Sequence, residues 1–256
     1  MCGRYVNVAS TADLSLEFDA EEVIGEPVAP SWNIAPTDPV PAVVKRRMHG
    51  ADDDAPTVRQ LRTLRWGLVP NWSKSRTGWA KMINARIETV TTRPAFKSAA
   101  ARRRCLLPSL GYYEWQKTEQ GKVPYFLHDP DGALLAMAGL YELWRDPDLP
   151  DDDPGKWLWT STVITQPATD VLGHIHDRCP VVVPRDLQEA WLDCSVDDPQ
   201  IAQTLLGRIP EVHLEPQIVS NAVNSVRNDG PELIEPVSES EVDAPGRHPV
   251  QQQLDL

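Results

Sequence analysis

The sequence predicts a single α+β domain. Two observations lead to this fold class: short predicted strands are mixed with short predicted helices, and the regular strand–helix–strand spacing of a parallel sheet is absent. The chain has 256 residues, of which 41% are hydrophobic, and this is enough for one sizeable core or at most two small ones. We find no internal repeat that would divide the chain further.

The first half of the chain is predicted to contain two helices and two strands. In order, these are a helix over residues 11–18, strands over 40–45 and 58–69, and a helix over 94–103. Ser10 or Thr11 can cap the first helix, and Leu14 is spaced to share one of its faces with residue 18. An acidic, turn-rich loop at 48–56 separates the two strands. The basic end of the second helix is favourable to its dipole.

The second half of the chain is predicted to be richer in strands. These cover residues 105–115, 123–144, 156–165 and 181–183, with a turn at 129–132. Helices are predicted over 185–193 and 199–206, because Pro199 suits the start of the latter and Gly207 its end. Residues 145–155 are predicted to form an exposed acidic loop. From residue 235 the chain is polar and acidic, so we expect a folded domain over 1–234 and a disordered tail over 235–256.

The negative charge of the chain is concentrated in a few segments. The formal net charge is −12, which argues at first against a nucleic-acid partner. However, the acidic residues cluster at 52–54, 146–153 and 229–256, and the rest of the chain is slightly positive. A local basic groove is therefore compatible with the composition.

The sequence shows neither a signal peptide nor a membrane span. The N-terminal residues MCGRYVNVAS lack an apolar signal core, and no apolar run approaches the roughly 18 residues that a spanning helix needs. We therefore expect a cytosolic or nucleoid-associated protein. The four cysteines form no CxxC pair, so we expect free thiols and neither a metal nor another cofactor.

Cys2 directly follows the initiator methionine, which is usually removed when the next residue is small. Removal exposes an α-amine with a reference pKa of roughly 7.7–8.0 beside a thiol with one of roughly 8.5. The amine can attack an aldehyde to give an imine, and the thiol can then add to the same carbon, closing a five-membered thiazolidine. An internal cysteine cannot do this, because its nitrogen belongs to a peptide bond. Position alone leaves open that Cys2 is simply a small residue near the terminus.

Several aromatic and proline-rich segments could supply partners for Cys2. Each has an ordinary structural explanation when taken singly. Tryptophans usually anchor a core, Glu114 between two aromatic residues could be a strand residue facing water, and a His-Asp-Arg run is often a surface turn. The segments, in chain order, are WNIAPT, WGLVPNW, NARIET, GYYEW and IHDRCP.

Taken together, the motifs resemble one protein family. MCGRY, WNIAPT, WGLVPNW, NARIET, RRCLLPSLGYYEW, AGLYELW, VITQPAT and IHDRCPVVVP occur in this order over about residues 2–230. They closely resemble the SRAP family, the SOS-response-associated-peptidase-like proteins that process abasic sites in single-stranded DNA. The resemblance implies an α+β single domain whose mixed or antiparallel β-sheet forms a barrel-like core surrounded by short helices.

The resemblance also implies four catalytic positions. Cys2 matches the cysteine that forms a thiazolidine with the ring-opened aldehyde of an abasic site after Met1 is removed. Asn84 matches the asparagine that holds the amine and the sugar. Glu114 matches a glutamate suited to the proton transfers of imine formation and cross-link reversal, and His176 a histidine thought to assist ring opening.

Seven further positions match family residues that contact the DNA strand: Arg4, Pro36, Trp66, Trp72, Arg86, Thr165 and Arg178. The three arginines would bind phosphates and the threonine would make a polar contact to the DNA backbone, which suits a protein that accepts any sequence. The proline and the two tryptophans would form an apolar shelf, where stacking contributes roughly 1–3 kcal/mol per base. Core packing remains the alternative for both tryptophans.

The chain departs from the family pattern at two positions. Cys179 stands where the family often has methionine, and Ser109 where alanine is common. We expect Cys179 to keep the packing role and the hydroxyl of Ser109 to be harmless.

The resemblance implies a bacterial-type cytoplasmic monomer that binds single-stranded DNA with abasic sites at replication forks or single-strand/double-strand junctions. Cross-linking, reversal and strand cleavage by lyase chemistry are all expected of it. Three alternatives stay open: an N-terminal-nucleophile amidotransferase, a non-covalent single-stranded-DNA-binding module, and a peptidase limited to self-processing at Met1. Arg4, in a segment usually apolar in amidotransferases, argues against the first of these.

Overall fold

Strands dominate the structure. A computed structural model describes residues 2–47, 52, 55–76 and 81–242. The strands are β1 (Arg4–Asn7), β2 (Glu22–Ile24), β3 (Ser31–Ile34), β4 (Pro39–Arg47), β5 (Thr57–Trp66), β6 (Asn84–Arg86), β7 (Arg104–Ser109), β8 (Gly111–Thr118), β9 (Gly121–His128), β10 (Leu135–Arg145), β11 (Trp157–Pro167), β12 (Arg178–Pro180) and β13 (Glu215–Ile218). The α-helices are α1 (Thr11–Glu17), α2 (Lys97–Arg102), α3 (Asp170–Ile175), α4 (Arg185–Leu192), α5 (Pro199–Leu206) and α6 (Glu239–Val242).

Five strands close into a barrel in the order β11-β10-β7-β4-β5. Neighbours within this order are antiparallel, whereas β5 and β11 close the ring as a parallel pair at Arg65–Thr160 and Trp66–Ser161. The short β6 also pairs with β11, and β2 and β12 extend the sheet beyond the ring. The prediction of an α+β domain with a mixed, barrel-like sheet is therefore confirmed.

Alternation along the barrel strands separates two hydrophobic clusters. Every second residue points into the barrel, where Val44, Leu64 and Val163 belong to one cluster. The intervening residues, such as Leu106 and Ile164, belong to a second cluster beneath α2, α4 and α5. Each large apolar side chain so buried contributes roughly 1.5–3 kcal/mol to stability, which makes the barrel a stable support for the residues at its ends.

A second sheet carries the N-terminus to one end of the barrel. Its strand order is β13-β9-β8-β1-β3. β1 is antiparallel to β8, with Arg4 opposite Tyr113 and Val6 opposite Gly111. Because Cys2 precedes β1 and Glu114 follows Tyr113 on β8, this register places the two residues near one another.

Local signals account for the predicted helices. α1 begins with a capping box between Ser10 and Asp13, and α5 begins with an Asp198 cap and Pro199. The helices predicted over 11–18, 94–103, 185–193 and 199–206 are confirmed, with α2 shorter than expected.

Two strand predictions need correction. The segment 105–115 is two strands, because the chain turns between β7 and β8 at Leu110. A strand over 181–183 is wrong: β12 ends at Pro180, and Val182 forms an isolated bridge to Met137.

The folded part extends further than the predicted boundary at residue 234. Pro236 forms a bridge to Val219, the Asn221 side chain donates to the Val242 carbonyl over 2.5 Å, and Val242 is buried. Residues 235–242 are therefore docked on the domain. Met1, residues 48–51, 53 and 54 of the predicted acidic loop, and tail residues 243–256 lie outside the described residues. None of the described helices is both long and apolar enough to cross a membrane.

Candidate active site

Cys2 lies at one end of the barrel and is completely buried. Its side chain belongs to the cluster that fills the barrel, together with Tyr5, Tyr112 and Cys179. Burial raises the pKa of the Cys2 thiol far above its usual range, and the nearby Glu114 carboxylate acts in the same direction. The thiol is therefore held in its neutral form, and a reaction at Cys2 has to begin with another group.

Asn84 and Glu114 both lie close to Cys2. The Asn84 side-chain amide donates a hydrogen bond of 2.7 Å to the Cys2 carbonyl, and β6 holds Asn84 opposite Val163 of β11. Glu114 is 4% exposed. Desolvation raises the pKa of its carboxyl to about 7, while the positive charge of the chain's amino group opposes the shift. Near neutral pH this carboxyl can therefore both donate and accept a proton.

His176 follows α3 and is held in one orientation by the backbone. The Arg178 amide donates to His176 Nδ1 over 3.1 Å, and Asp177 Oδ1 lies 2.9 Å from the same nitrogen. Nδ1 either carries a proton and donates to Asp177, or lacks one and accepts from the Arg178 amide, so it cannot make both bonds at once. Burial lowers the pKa of His176, which favours the neutral ring, so we assign the bond from the amide and place the proton on Nε2. The neutral ring then presents Nε2–H as a donor.

The four predicted catalytic residues converge on one end of the barrel. β6, which carries Asn84, pairs with β11 at 163–165, and β12, which follows His176, pairs with β11 at 165–167. Helix α3, just before His176, is linked to β8 because the Gln116 side chain donates to the His174 carbonyl over 3.2 Å. Strands β6 and β8 and the segment before β12 thus bring Asn84, Glu114 and His176 to the end of the barrel where Cys2 lies.

Arg178 and Arg4 are held by protein groups. Arg178 makes two bonds to the Glu88 carboxylate, of 2.5 and 3.0 Å, and a third of 2.6 Å to the Thr165 carbonyl. The hydrogen bond from Arg178 lowers the pKa of Glu88, so this pair is ionised at neutral pH. Arg4 donates to Asn33 Oδ1 over 2.6 Å and to the Val223 carbonyl over 2.9 Å.

The remaining predicted DNA contacts differ in their exposure. Arg86 is exposed, and Pro36 is partly exposed. Trp72 is 63% exposed, so its ring has a free face for stacking. These three residues remain candidates for contact with a strand.

Two predicted DNA contacts are corrected to supporting roles. Trp66 is 0% exposed, packs edge-on against Tyr5 at 5.0 Å and donates from Nε1 to the Ile83 carbonyl. It has no free face for stacking and belongs to the core. Thr165 is also 0% exposed, and its carbonyl accepts from Arg178. It positions that arginine rather than touching a phosphate itself.

The two departures from the family pattern are accommodated by packing. Cys179 is buried in the Cys2 cluster, with Sγ 3.9 Å from the Pro167 carbonyl. The Ser109 hydroxyl lies 3.1 Å from the Val6 carbonyl and 2.7 Å from that of Gly111. Both side chains therefore sit in the core with a polar partner.

Sequence reasoning missed two supporting residues, Glu88 and Asn33. Glu88 lies two residues after Arg86 in NARIET, and only its contact with Arg178 shows its role. Asn33, in WNIAPT, donates to the carbonyls of Ser225 and Asn228 over 3.0 and 2.8 Å. It fastens the C-terminal part of the domain to β3. Within the described ranges, no group of three or more His, Cys, Asp or Glu residues could hold a metal ion.

The fold and the site together define a class of protein: a mixed β-barrel that places a cysteine at the second position beside an asparagine and a buried carboxyl. The family model for SOS response associated peptidase (SRAP) matches residues 1–226, and the chain belongs to this family.

Among its relatives is the abasic site processing protein YoqW of Bacillus subtilis (strain 168), which is 34% identical over 237 residues, covering 92% of this chain and 99% of the relative. The abasic site processing protein HMCES of Gallus gallus is 32% identical over 232 residues, covering 81% of this chain and 66% of the relative.

Solved structures share the fold. The crystal structure of a Bacteroides thetaiotaomicron protein superimposes with a TM-score of 0.73 at 22% identity, covering 93% of this chain and 100% of that one. A phage-related protein of Bordetella bronchiseptica gives a TM-score of 0.60 at 25% identity, covering 85% and 94%. These similarities support the barrel architecture.

Proposed function

We propose that this protein processes abasic sites in single-stranded DNA by forming a covalent thiazolidine at Cys2 after removal of Met1. One observation carries the proposal: Cys2 is held by Asn84 at 2.7 Å, in a buried site whose carboxyl, Glu114, has its pKa raised to about 7. The names of the relatives, which describe abasic site processing, point to the same substrate.

The α-amine of Cys2 forms the first bond between the protein and the opened sugar. The neutral amine attacks the aldehyde carbon of the opened deoxyribose and forms a carbinolamine. Glu114 donates a proton to the departing hydroxyl, so that water leaves, and then takes the proton from nitrogen, so that a neutral imine forms. The thiol then adds across the C=N bond: sulfur bonds to carbon and the thiol proton passes to nitrogen. Since the thiol reacts last, its burial in the neutral form does not prevent capture.

His176 acts before the amine does. A closed abasic sugar shows no aldehyde, and opening it requires a proton at the ring oxygen. His176 supplies this proton as the imidazolium: Nε2–H passes to the ring oxygen while Asp177 accepts from Nδ1, and the proton of the sugar C1 hydroxyl leaves to water as the aldehyde forms. In the neutral ring that results, the Arg178 amide donates to Nδ1. Reversal of the thiazolidine and strand cleavage by β-elimination use the same proton transfers, with Glu114 as the base.

Phosphate contacts orient the strand without selecting its sequence. Arg86 is exposed beside the site and binds a phosphate directly, while Arg178 is held in place by Glu88. The partner is single-stranded DNA at a replication fork or a junction with duplex. We propose that a monomer suffices, because all four catalytic residues come from one chain, and that the protein works in the bacterial cytoplasm on nucleoid DNA.

The test is a denaturing gel of the purified protein mixed with single-stranded DNA that carries one abasic site. We expect an adduct that survives denaturation, that is lost in Cys2→Ala and that persists in the matched control Cys194→Ala. Intact mass spectrometry verifies that Met1 has been removed, and a tag that precedes Cys2 should prevent the adduct. An adduct with Cys2→Ala, or none with processed wild-type protein, would refute the proposal. Glutamine hydrolysis at enzymatic rates would favour an amidotransferase instead.

A further inference from the structure

The barrel has a second open end, away from Cys2. It is formed by the start of β5, the end of β4, the start of β7, the end of β10 and the start of β11. A cleft of about 600 Å³ lies there, lined among others by Arg46, Arg103, Arg145 and Trp157. Trp157 and Thr165 lie roughly 26 Å apart along β11, at about 3.3 Å per residue, so the cleft is separate from the candidate active site.

Aromatic rings line this end of the barrel. Trp159 stacks on Tyr141 with ring centroids 5.6 Å apart and planes inclined by 11°. Two residues earlier on β11, Trp157 points the same way and is 52% exposed. An exposed indole at the mouth of a charged cleft offers a flat surface on which a planar ring can stack.

Two arginines converge on the same tryptophan. The guanidinium of Arg62 lies 4.3 Å from the Trp159 ring centroid and that of Arg46 lies 5.1 Å from it. Arg46 donates to the Tyr141 hydroxyl over 3.3 Å and Arg62 to the Gln60 side-chain oxygen over 2.8 Å. Within the described part of the chain, the groups that Arg46 and Arg62 contact in these interactions, Tyr141, Gln60 and Trp159, are all neutral. The positive charges of Arg46 and Arg62 are thus held close together over the ring of Trp159.

The other arginines of the cleft are paired with acids. Arg103 donates to Glu142 over 2.8 Å, and Arg145 pairs with Asp151. The Arg145–Asp151 pair is solvent-exposed and contributes roughly 0–1 kcal/mol, so an entering anion can compete for Arg145. The excess positive charge comes from Arg46 and Arg62, with Glu22 the acid that acts on Arg62. Two arginines with one opposing acid leave a net positive charge at this end of the barrel, in a chain whose net charge is −12.

We propose that this cleft, which is lined by Arg46 and Trp157 and adjoins Arg62 above Trp159, binds a nucleotide. The arginines bind its phosphate and Trp157 stacks on its base, which is the combination that single-stranded nucleic acid requires. The nucleotide is part of a DNA or RNA strand or is free in solution. This site extends beyond the proposed function, because neither Cys2 nor an abasic site takes part in it.

The test uses the full-length protein and probes without abasic sites: fluorescein-labelled dT4, read by anisotropy, and unlabelled dTMP as its competitor. We expect Arg46→Gln and Trp157→Ala each to raise the dissociation constant of dT4 about fivefold or more. Trp157→Phe should restore most of the affinity, because it keeps a ring. Arg46→Gln should also reduce the slope of log affinity against log salt by about 0.7.

The matched control is Arg185→Gln, which removes the same charge from an exposed arginine that pairs with Glu17 and Asp19 and is not among the residues that line the cleft. Equal weakening by Arg46→Gln and Arg185→Gln would overturn the proposal, as would no measurable binding of dT4 at low salt. If unlabelled dTMP displaces the labelled probe at the same concentration as unlabelled dT4, the site binds free nucleotides. If only unlabelled dT4 displaces the probe, the site binds a strand. The cross-linking rate of Arg46→Gln on a short abasic strand reports separately on the Cys2 site.

Discussion

Glu114→Gln should make the protein more stable above neutral pH while impairing its chemistry. The pKa of the Glu114 carboxyl is raised from 4.5 to about 7, mainly because burial disfavours its charged form. The native state therefore binds more protons than the unfolded state between these two values, and the free energy of unfolding falls as pH rises through this window. At about 1.4 kcal/mol per pH unit, the wild type loses about 3 kcal/mol between pH 4.5 and 7.

Glutamine has the same shape and no charge, so it removes this loss. Thermal unfolding followed by circular dichroism at pH 5 and pH 8 measures the effect. At pH 8 the variant should melt roughly 6–12 °C above wild type, since a domain of this size gains about 2–4 °C per kcal/mol. At pH 5 the two should melt within a few degrees of each other. The cross-linking rate should fall about 10²- to 10⁴-fold while binding of undamaged DNA stays within twofold.

Two results would refute this reasoning. If the melting temperatures of wild type and variant run parallel from pH 5 to pH 8, Glu114 does not titrate in this range. If Glu114→Gln is less stable than wild type at pH 8, the carboxylate is stabilised by a charge partner and not strained by burial. Equal losses of DNA binding and cross-linking would instead assign Glu114 a structural role.

Three further changes test other parts of the structure. Asn84→Ala removes the 2.7 Å bond to the Cys2 carbonyl; the cross-linking rate in gel time courses should fall at least about tenfold, with DNA affinity unchanged. His176→Gln should slow capture of the closed abasic sugar but leave thiazolidine formation with a simple aliphatic aldehyde intact by mass spectrometry; equal slowing of both would contradict a role in ring opening. Arg104→Met leaves buried carbonyls at the ends of α2 and α4 without their donor; urea unfolding should show a loss of about 3 kcal/mol or more, and a loss below 1 kcal/mol would refute this role.

Features with local causes could be predicted from the sequence. The caps at Ser10 and Asp198 are read within a few residues, and α1 and α5 lie where they were expected. The closure of the barrel between β5 and β11 joins segments almost a hundred residues apart, and no local signal fixes it. β6 is three residues long and reads as a strand only because β11 lies beside it.

The candidate site was predictable in its residues but not in their environments. The resemblance named Trp66 and Thr165 as DNA contacts, but exposure depends on what packs around a side chain, and both are buried. The raised pKa of Glu114 likewise comes from desolvation in the folded protein. The arginine pair above Trp159 was missed because Arg46 and Arg62 are remote from β11 in sequence and reach Trp159 only because the barrel closes between β5 and β11.

The contact between Arg4 and the Val223 carbonyl joins positions that are 219 residues apart. During synthesis Arg4, two residues after Cys2, therefore has no such anchor until nearly the whole domain has left the ribosome. Under the function proposed above, a growing or truncated chain would leave the aminothiol of Cys2 open to other aldehydes, whereas Cys2 is completely buried in the folded domain. The anchoring of this end is thus completed late in synthesis, after the segment that carries Val223 has been made.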